Sequence, residues 1–287
     1  MNTSAASVET DKWDVVISPK SKVINFNFAE LWKYRDLLMM FVRKDIVTVY
    51  KQTILGPIWF VVQPIMTTMI YYFIFGRVAK LGTDNVPAIL FYLGSNTLWL
   101  YFSETLNTTS KTFADNASIF GKVYFPRLLL PLSKVISGMI KLFIQLILFV
   151  LVLLYYIFVR HSVMPNQFIF LFPFLLVLMA ALSFALGTII TSMTTKYRDM
   201  TFLVTFGVQL LMYATPVIYP VSKFKEYQTL IWLNPLTSIF ETFKYGFYGK
   251  GSFSWGWLGY TVLFTVTTTI VGMVVFNNVE KKFIDTV

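Results

Sequence analysis

Long apolar runs alternate with short polar segments along most of this chain. A helix needs about 20 predominantly apolar residues to cross a bilayer, and six runs approach or exceed that length. They lie near Ile58–Phe75, Ala88–Thr108, Leu132–Val159, Phe168–Met193, Thr201–Tyr219 and Trp257–Phe276. The pattern therefore predicts an all-α polytopic membrane protein with six transmembrane helices.

The segment FAELWKYRDLLMMFVRKDI, ahead of the first run, has the pattern of an amphipathic helix. Leu31, Tyr34 and Leu38 recur at helical spacing, whereas Lys33 and Arg43 fall on other faces. The segment is too charged to span a membrane and is typical of a helix that lies in the interface. Lysine and arginine side chains that reach out of the apolar layer would favour the cytosolic leaflet.

The segment between the last two runs, VSKFKEYQTLIWLNPLTSIFETFKYGFYGKGSFSWG, is too polar for a full crossing and is interrupted at Asn234-Pro235. Its apolar stretches are nevertheless too long for a plain loop, and non-helical backbone at membrane depth must be shielded by protein. We predict two short re-entrant helices that dip into the outer leaflet. Glu241 and Lys244 are spaced to pair on one helix face.

The chain divides into three predicted parts and shows no internal repeat. Residues 1–28 form a polar lead-in, 29–56 the interface helix and a joint, and 57–287 a transmembrane domain. At the joint, Gly56 allows the backbone to turn, and Pro57 suits a first helical turn because that position tolerates a missing N–H.

The positive charges predict the topology. With an even number of spans and the N-terminus in the cytosol, most of the 24 Lys and Arg residues fall on the cytosolic side, as the positive-inside rule requires. Both termini are therefore predicted to be cytosolic. The net charge of +10 is then a property of membrane topology, and we predict no nucleic-acid partner.

The composition excludes several kinds of chemistry. With no cysteine and one histidine, His161, the chain lacks the parts for thiol catalysis and for a His-rich or Cys-based metal centre, so we predict no metal site. No G-x-x-x-x-G-K-[ST] phosphate loop occurs. A membrane glycosyltransferase would group carboxylates at one face, whereas the Asp and Glu residues here are scattered. We therefore predict a transport protein rather than an enzyme, with its energy supplied by a partner or a gradient.

Charged residues inside the predicted spans are few. Glu104 is costly at membrane depth and is therefore either functional or paired. Lys134 and Lys141 share a face of the third span near its cytosolic end, where reaching toward the interface would account for both. A gradient-driven carrier would contain more buried ionisable groups than this.

Polar residues form stripes at helical spacing on several spans. Examples are Gln63 with Tyr71, Asn96 with Trp99 and Ser103, and Tyr213 on the fifth span. Hydrogen bonding between packed helices accounts for any one stripe. Several stripes with Tyr and Trp interleaved favour a path lined by protein.

The connection between the second and third spans, KTFADNASIFGKVYFPRLLLPLSK, places aromatic side chains beside basic ones. A plain re-entry loop is one interpretation. The other is a short rigid docking element that exposes Tyr124 and Phe125 beside Lys122 and Arg127 to the cytosol, with Pro126 holding Phe125 extended.

These segments together resemble the permeases of bacterial ABC transporters that export polysaccharides. LWKYRDLLMMFVRKDIVTVYKQTILGPIWFVVQP is similar to the N-terminal signature of that family, and KVYFPRLLLPLSK, KYRDM, TPVIYP, NPLTSIFETFKYGFYG and VEKKFIDTV follow in the family's order. The resemblance extends from about residue 28 to the end of the chain and is strongest toward O-antigen permeases.

The resemblance implies the transmembrane subunit of an ATP-driven exporter in the bacterial inner membrane. Its implied partners are a second copy of the chain, two ATP-binding subunits, membrane lipids and a lipid-linked polysaccharide. This chain would carry no cofactor, because ATP and Mg²⁺ would bind to the partner subunit. The resemblance leaves capsule and teichoic-acid export open as alternatives, and a small-molecule drug permease or a membrane glycosyltransferase as more distant ones.

The resemblance also implies roles for individual residues. The candidate substrate path comprises Phe60, Gln63, Tyr71, Tyr92, Asn96, Trp99, Ser103 and Tyr213. The candidate coupling residues are Lys122, Tyr124, Phe125, Pro126 and Arg127. The candidate interface-helix residues are Trp32, Tyr34, Arg35, Arg43 and Lys44. The candidate outer gate comprises Trp232, Asn234, Pro235, Glu241 and Lys244. The family often has arginine at the position of Lys244, so a bidentate phosphate contact there is in doubt.

Overall fold

The computed structural model describes residues 28–51, 53–116, 125–194, 197 and 199–284. Every regular element within these ranges is helical, which confirms the predicted all-α class. The predicted lead-in, residues 1–28, lies outside the described residues except for its last position. The helices are α1 (Phe28–Lys33), α2 (Arg35–Tyr50), α3 (Trp59–Tyr71), α4 (Ala88–Ser110), α5 (Thr112–Asp115), α6 (Leu129–Phe158), α7 (Phe172–Thr194), α8 (Met200–Ala214), α9 (Gln228–Trp232), α10 (Pro235–Tyr248) and α11 (Trp255–Ile284).

Four helical segments of the described chain are long and apolar enough to cross a membrane. They are Gly56–Val78, Leu129–Phe158, Gln167–Thr194 and Trp255–Val279. These segments agree with four of the six predicted spans. The other two predicted spans correspond to α4 and α8, and both differ from an ordinary lipid-facing span.

Helix α4 lies at the centre of the fold, where it packs against α3, α6, α7, α8 and α10. Ser95, Asn96, Thr97 and Thr105 on α4 are completely buried. A helix that neighbouring helices shield from lipid does not need an apolar surface, and polar side chains are common where helices pack. Its central position therefore explains why α4 has the length of a span but a lower hydropathy than the four outer segments.

Helix α8 ends earlier than the apolar run that predicts it. Its last residue is Ala214, and Thr215 is already extended, with φ −109° and ψ 142°. Pro216 explains this end, because a proline disfavours the helical conformation of the residue before it. The predicted end at Tyr219 was wrong, and α8 is a helix of 15 residues.

The first span contains two irregularities. Pro64 lies inside α3, and the helix continues from Tyr72 to Val78 as a π-helix. Proline removes one backbone hydrogen bond from a helix, and π-helical turns are rare and frequently occur at functional sites. The first span is therefore less regular than α6 or α7.

Helix α2 packs along the beginning of α6. Leu31, Tyr34, Leu37, Leu38 and Phe41 contact Phe125, Leu129 and Leu130, and we call this group the α2–α6 cluster. The apolar face that the sequence predicts for this segment is thus partly covered by protein, and its place in the membrane interface stays a prediction. Trp32, Met39, Met40 and Val49 are exposed apolar side chains of α1 and α2.

Close packing between α7 and α11 generates the first testable prediction. A Cβ atom at Gly272 of α11 would lie 2.7 Å from the Thr188 hydroxyl and 2.8 Å from the Ala185 carbonyl oxygen of α7. We expect Gly272→Ala to lower the free energy of unfolding by about 1–3 kcal/mol, because the backbone of α7 has to shift. Thermal unfolding of the purified protein in detergent measures this effect.

The matched control is Gly259→Ala on the same helix, where no atom lies within 4 Å of the added Cβ. Alanine has the higher helix propensity, so this variant should be unchanged or slightly stabilised. Equal melting temperatures for the two variants would contradict the described packing of α7 against α11.

Candidate functional site

Two cavities lie between α2, α3, α4 and α6, and they share Val49, Glu104 and Lys141 as lining residues. The larger has a volume of about 370 Å³ and the smaller about 330 Å³. The larger is also lined by Lys44, Asp45, Thr48, Thr105, Thr108, Asp115, Asn116, Lys134, Ser137 and Gly138. The smaller is also lined by Trp59, Phe60, Gln63, Leu100, Ser103, Asn107 and Gln145. We call the two together the polar cleft.

Two ion pairs cross the polar cleft, and α6 supplies the lysine of each. The Lys134 Nζ lies 2.6 Å from Asp45 Oδ1 of α2, and Ser137 donates a 3.4 Å hydrogen bond to Asp45 Oδ2. The Lys141 ammonium pairs with Glu104 of α4, and its Nζ lies 5.7 Å from the centre of the Phe60 ring. The cleft therefore joins the surface helix to two long helices through charge.

The ion pair of Lys141 with Glu104 bears out one of the two sequence-based alternatives for Glu104. The carboxylate is paired, and only 14% of the Lys141 side chain is exposed. The carboxylate partner of Lys141 is itself 42% exposed, so the pair lies at the edge of the cleft, and the prediction that Lys141 reaches toward the interface stays a prediction. Burying a charge near the membrane is costly without such a partner.

The smaller cavity has walls of amide, hydroxyl and aromatic groups. Asn107 donates a 2.9 Å hydrogen bond to the Ser103 carbonyl, and its Oδ1 is buried without a partner among the described residues. Gln63 and Gln145 face the same cavity, and Trp59 and Phe60 bound it. Such groups can hydrogen-bond to hydroxyl-rich ligands and pack against their apolar faces.

The structure brings together three of the eight predicted path residues. Phe60, Gln63 and Ser103 line the smaller cavity. Tyr92, Asn96 and Trp99 lie inside the helical bundle, with exposed fractions of 0%, 0% and 5%. Their role in a substrate path stays a prediction.

The remaining two path residues lie near α8. Tyr71 donates a 3.1 Å hydrogen bond to Met212 Sδ, and its ring centre lies 6.5 Å from that of Tyr92. Tyr213 is half exposed on α8. Tyr71 therefore connects the first span with both α4 and α8.

The predicted coupling residues are partly described. Lys122 and Tyr124 lie outside the described residues. Phe125 is buried, and its ring centre lies 5.7 Å from that of Phe41. The carbonyl groups of Pro126 and Arg127 accept hydrogen bonds from Leu129 and Leu130 in the first turn of α6.

The prediction that Phe125 is exposed to the cytosol was therefore wrong. This side chain belongs to the α2–α6 cluster and fastens α2 to the start of α6. The coupling role of the segment stays a prediction.

The predicted interface-helix residues point in different directions. Trp32 is exposed, and the Arg35 guanidinium carbon lies 5.5 Å from the centre of its ring. Tyr34 is half-buried in the α2–α6 cluster, whereas Arg43 is exposed. Lys44 borders the larger cavity.

At the other end of α4, the predicted pair of Glu241 with Lys244 is confirmed. Lys244 Nζ lies 3.0 Å from Glu241 Oε1, and both side chains are 3% exposed. The ammonium also donates a 2.6 Å hydrogen bond to the Pro216 carbonyl and lies 4.5 Å from the centre of the Phe91 ring. The backbone N–H of Ser252 donates to Glu241 Oε2 at 3.2 Å.

These contacts decide what Lys244 is able to do. Its ammonium is enclosed by a carboxylate, a carbonyl and an aromatic ring, so it is not free to bind a phosphate in this arrangement. The buried pair instead holds α10 against the loop after α8 and the turn before α11.

The other predicted outer-gate residues fix the start of α10. Asn234 accepts a 3.0 Å hydrogen bond from the Leu236 N–H and donates a 2.9 Å one to the Thr215 hydroxyl. Pro235 occupies the first turn of α10, a position that suits its missing N–H. Trp232 is buried and stacks on Trp257, with ring centres 5.7 Å apart.

The sequence analysis missed Asp45 and the ion-pairing roles of Lys134 and Lys141. The available signal was the presence of two lysines on one face of a strongly apolar helix, which calls for carboxylates nearby. Asp45 lies 89 residues from Lys134, so only the folded chain identifies it as the partner.

Residues 36–248 match the family model of the ABC-2 type transporter. The chain is 26% identical over 249 residues to an O-antigen export system permease protein RfbA of Klebsiella pneumoniae, which covers 86% of this chain and 93% of that protein. A second such protein from Klebsiella pneumoniae is 27% identical over the same shares. One from Myxococcus xanthus is 26% identical over 223 residues, which covers 76% of this chain and 83% of that protein.

The buried pair of α10 generates the second prediction. Glu241→Gln leaves the Lys244 ammonium buried without its carboxylate, and Lys244→Met does the reverse. Each should lower the free energy of unfolding by about 3–5 kcal/mol. The double variant should cost less than either single one, because it leaves no uncompensated charge. Thermal unfolding in detergent measures all three.

Glu226→Gln is the control, because Glu226 is exposed in the same outer segment. This variant should unfold at the parent temperature. Additive losses in the double variant, or a single variant as stable as the parent, would show that Glu241 and Lys244 do not stabilise the fold as a pair.

Proposed function

We propose, from the premise that this chain belongs to the ABC-2 type transporter family, that it forms the channel through which O-antigen polysaccharide leaves the cytosol. The chain is the transmembrane subunit of an ABC exporter, and ATP hydrolysis takes place on a separate ATP-binding subunit. The observation that carries the proposal is the family match over residues 36–248, together with three O-antigen export permeases that align with most of the chain.

We propose that α4 and α8 complete a set of six spans in the bacterial inner membrane, with both termini cytosolic. The shielded position of α4 supports a crossing despite its lower hydropathy. The bias of Lys and Arg toward the loops on one side supports the orientation. The same topology gives three parts: a polar lead-in at 1–28, the interface helix and joint at 29–56, and the permease domain at 57–287.

In this topology the polar cleft faces the cytosolic side and α9 and α10 lie toward the periplasm as re-entrant helices. Trp32, Met39 and Met40 are exposed beside Arg35 and Lys44, which suits a helix that lies on the cytosolic leaflet. The burial of nearly every side chain of α10 supports a re-entrant position, because protein surrounds this helix.

We propose that two copies of the chain and two ATP-binding subunits form the exporter. Phe202, Phe206, Leu210 and Tyr213 give α8 an exposed apolar and aromatic face that a second copy or lipid must cover. ATP and Mg²⁺ would bind to the partner subunits. A lipid-linked polysaccharide would pass along the aromatic and amide groups that the sequence predicts.

The described arrangement fits a closed path. Phe60, Gln63 and Ser103 line the smaller cavity, whereas Tyr92, Asn96 and Trp99 continue the same face of the bundle in buried positions. Opening would require α3 to move away from α4. The π-helix from Tyr72 to Val78 and Pro64 make α3 the more deformable partner.

We further propose that the segment containing Lys122, Tyr124, Phe125, Pro126 and Arg127 receives the motion of the ATP-binding subunit. Its described end is directly continuous with α6, and Phe125 joins it to α2. A displacement of this segment would therefore reach α2 and α6 together.

The third prediction tests the function itself. Proteoliposomes that contain this chain and an ATP-binding subunit from the same genome should transport lipid-linked O-antigen when MgATP is present. Vesicles without the ATP-binding subunit, or with a non-hydrolysable ATP analogue, should not. Capsular polysaccharide and teichoic acid serve as competing substrates, and preferential transport of either would replace O-antigen. Transport by the chain alone would refute the ABC exporter.

The fourth prediction concerns the joint before α3. Gly56 has φ +52° and no atom within 4 Å of an added Cβ, so a substitution there acts through backbone strain alone. Gly56→Val should cost about 1–2 kcal/mol in this conformation and reduce export without preventing membrane insertion. Quantifying surface O-antigen in a strain that lacks the native chain measures export, and membrane fractionation measures insertion.

Gly259→Val is the matched control, since Gly259 lies on α11 and its added Cβ also meets no atom within 4 Å. It should export like the parent. Normal export by the Gly56→Val variant would mean that the joint only anchors the chain.

A further inference from the structure

We infer that Lys134 and Lys141 of α6 are positioning residues that connect α2 with α4 through their two carboxylate partners. In this arrangement a displacement of α2 reaches the third span through the first pair and the second span through the second pair, whereas its covalent link to the first span is the more weakly packed connection. The inference rests on the proposed function, because ATP-driven motion of α2 is part of that proposal.

The first connection joins α2 to α6. Lys134 Nζ and Asp45 Oδ1 are 2.6 Å apart, and the two side chains are 20% and 18% exposed. Ser137, one turn further along α6, donates to the other oxygen of the same carboxylate. Asp45 is therefore held by two groups of α6, at the wall of the larger cavity.

The second connection joins α6 to α4. Lys141 lies two turns after Lys134, about 10 Å along the helix axis, and on the same face. Its ammonium pairs with Glu104 of α4. One face of α6 thus carries both lysines, with α2 attached to the first and α4 to the second.

The connection from α2 to α3 is weaker. Residues Lys51, Ile54 and Leu55 are exposed, and Gly56 has a left-handed conformation with no packing contact for a side chain. Helix α2 contacts the 3₁₀ turn Gly56–Ile58, but within the described chain its extensive packing is with α6. The covalent link to the first span therefore transmits less force than the packed contact with the third.

The charges add something that the α2–α6 cluster does not supply. Apolar contact is non-directional, so the cluster alone specifies the register of α2 on Leu129 and Leu130 less sharply than a directed bond does. An ion pair with a supporting hydrogen bond fixes one register, and losing one partner leaves a partly buried charge uncompensated. Lys134 with Asp45 therefore sets the position of α2 on α6, while the cluster supplies adhesion.

The test compares ATP hydrolysis with export in the complete exporter reconstituted into proteoliposomes. Asp45→Asn and Lys134→Met should each retain ATP hydrolysis but export several-fold less polysaccharide per ATP, since α2 loses its register on α6. The exchanged variant Asp45→Lys with Lys134→Asp should recover much of the loss. Glu104→Gln and its exchange with Lys141 provide the same comparison for the second connection.

Asp36→Asn is the matched control, because Asp36 is an exposed carboxylate on the same helix. It should export as much polysaccharide per ATP as the parent. Variants that melt earlier but keep the parental ratio of export to hydrolysis would reduce the two pairs to stabilising contacts and overturn the inference. So would an exchanged variant that recovers nothing while it remains folded.

A second readout requires no transport. The chain has no cysteine, so Leu130→Cys introduces a single thiol beneath α2, where Leu130 is 1% exposed. In the purified complex this thiol should react slowly with a maleimide in the parent and in Asp36→Asn, and several-fold faster in Asp45→Asn or Lys134→Met. Unchanged reactivity would overturn the positioning role. If the parent exporter shows no ATP-driven export while the reactivities differ as expected, the proposed function fails and the α2–α6 connection stands.

Discussion

A charged side chain inside a membrane protein needs an opposite charge inside the same protein, and this requirement shapes both ends of the bundle. Near α2, Lys134 and Lys141 would be uncompensated on an apolar helix without Asp45 and Glu104. Near α10, the Lys244 ammonium is enclosed by Glu241, the Pro216 carbonyl and the Phe91 ring. Each pair, or the hydrogen bonds that support it, joins separate elements. The need to compensate these charges therefore also determines which elements lie together.

The two ends use this requirement differently. The pair in α10 is almost completely buried and hydrogen-bonded to neighbouring elements, so it holds α10 in a fixed position. The pairs in the polar cleft are partly exposed and border cavities, so rearrangement costs less there. This distribution, with rigid contacts near α10 and adjustable contacts near α2, suits a protein that has to transmit motion from the surface that carries α2.

Sequence patterns predicted the parts of this structure that local spacing determines. The four apolar spans, the two short helices before the last span and the pair of Glu241 with Lys244 all follow from periodicity within a few turns. The central position of α4 was beyond such patterns, because its burial depends on which helices surround it. The burial of Phe125 likewise depends on α2, which lies about 80 residues earlier in the sequence. For the same reason, the pairing of Asp45 with Lys134 could not be predicted from local spacing.

The burial of the candidate path residues was likewise not predictable from local spacing, and it has an energetic consequence. Tyr92 and Asn96 have the chemistry of a lining, yet both are buried in the bundle, and the amide atoms of Asn96 and the Tyr92 hydroxyl find no partner among the described residues. Each buried polar group left without a hydrogen bond costs about 1–3 kcal/mol. The Tyr92 ring centre lies 6.5 Å from that of Tyr71 on α3, so separation of α3 from α4 would relieve the cost at Tyr92 and would need less free energy for that reason. In the proposed path, polar groups that disfavour tight closure would therefore also be groups that meet a glycan after opening, and the irregular first span would be the element that moves to expose Tyr92.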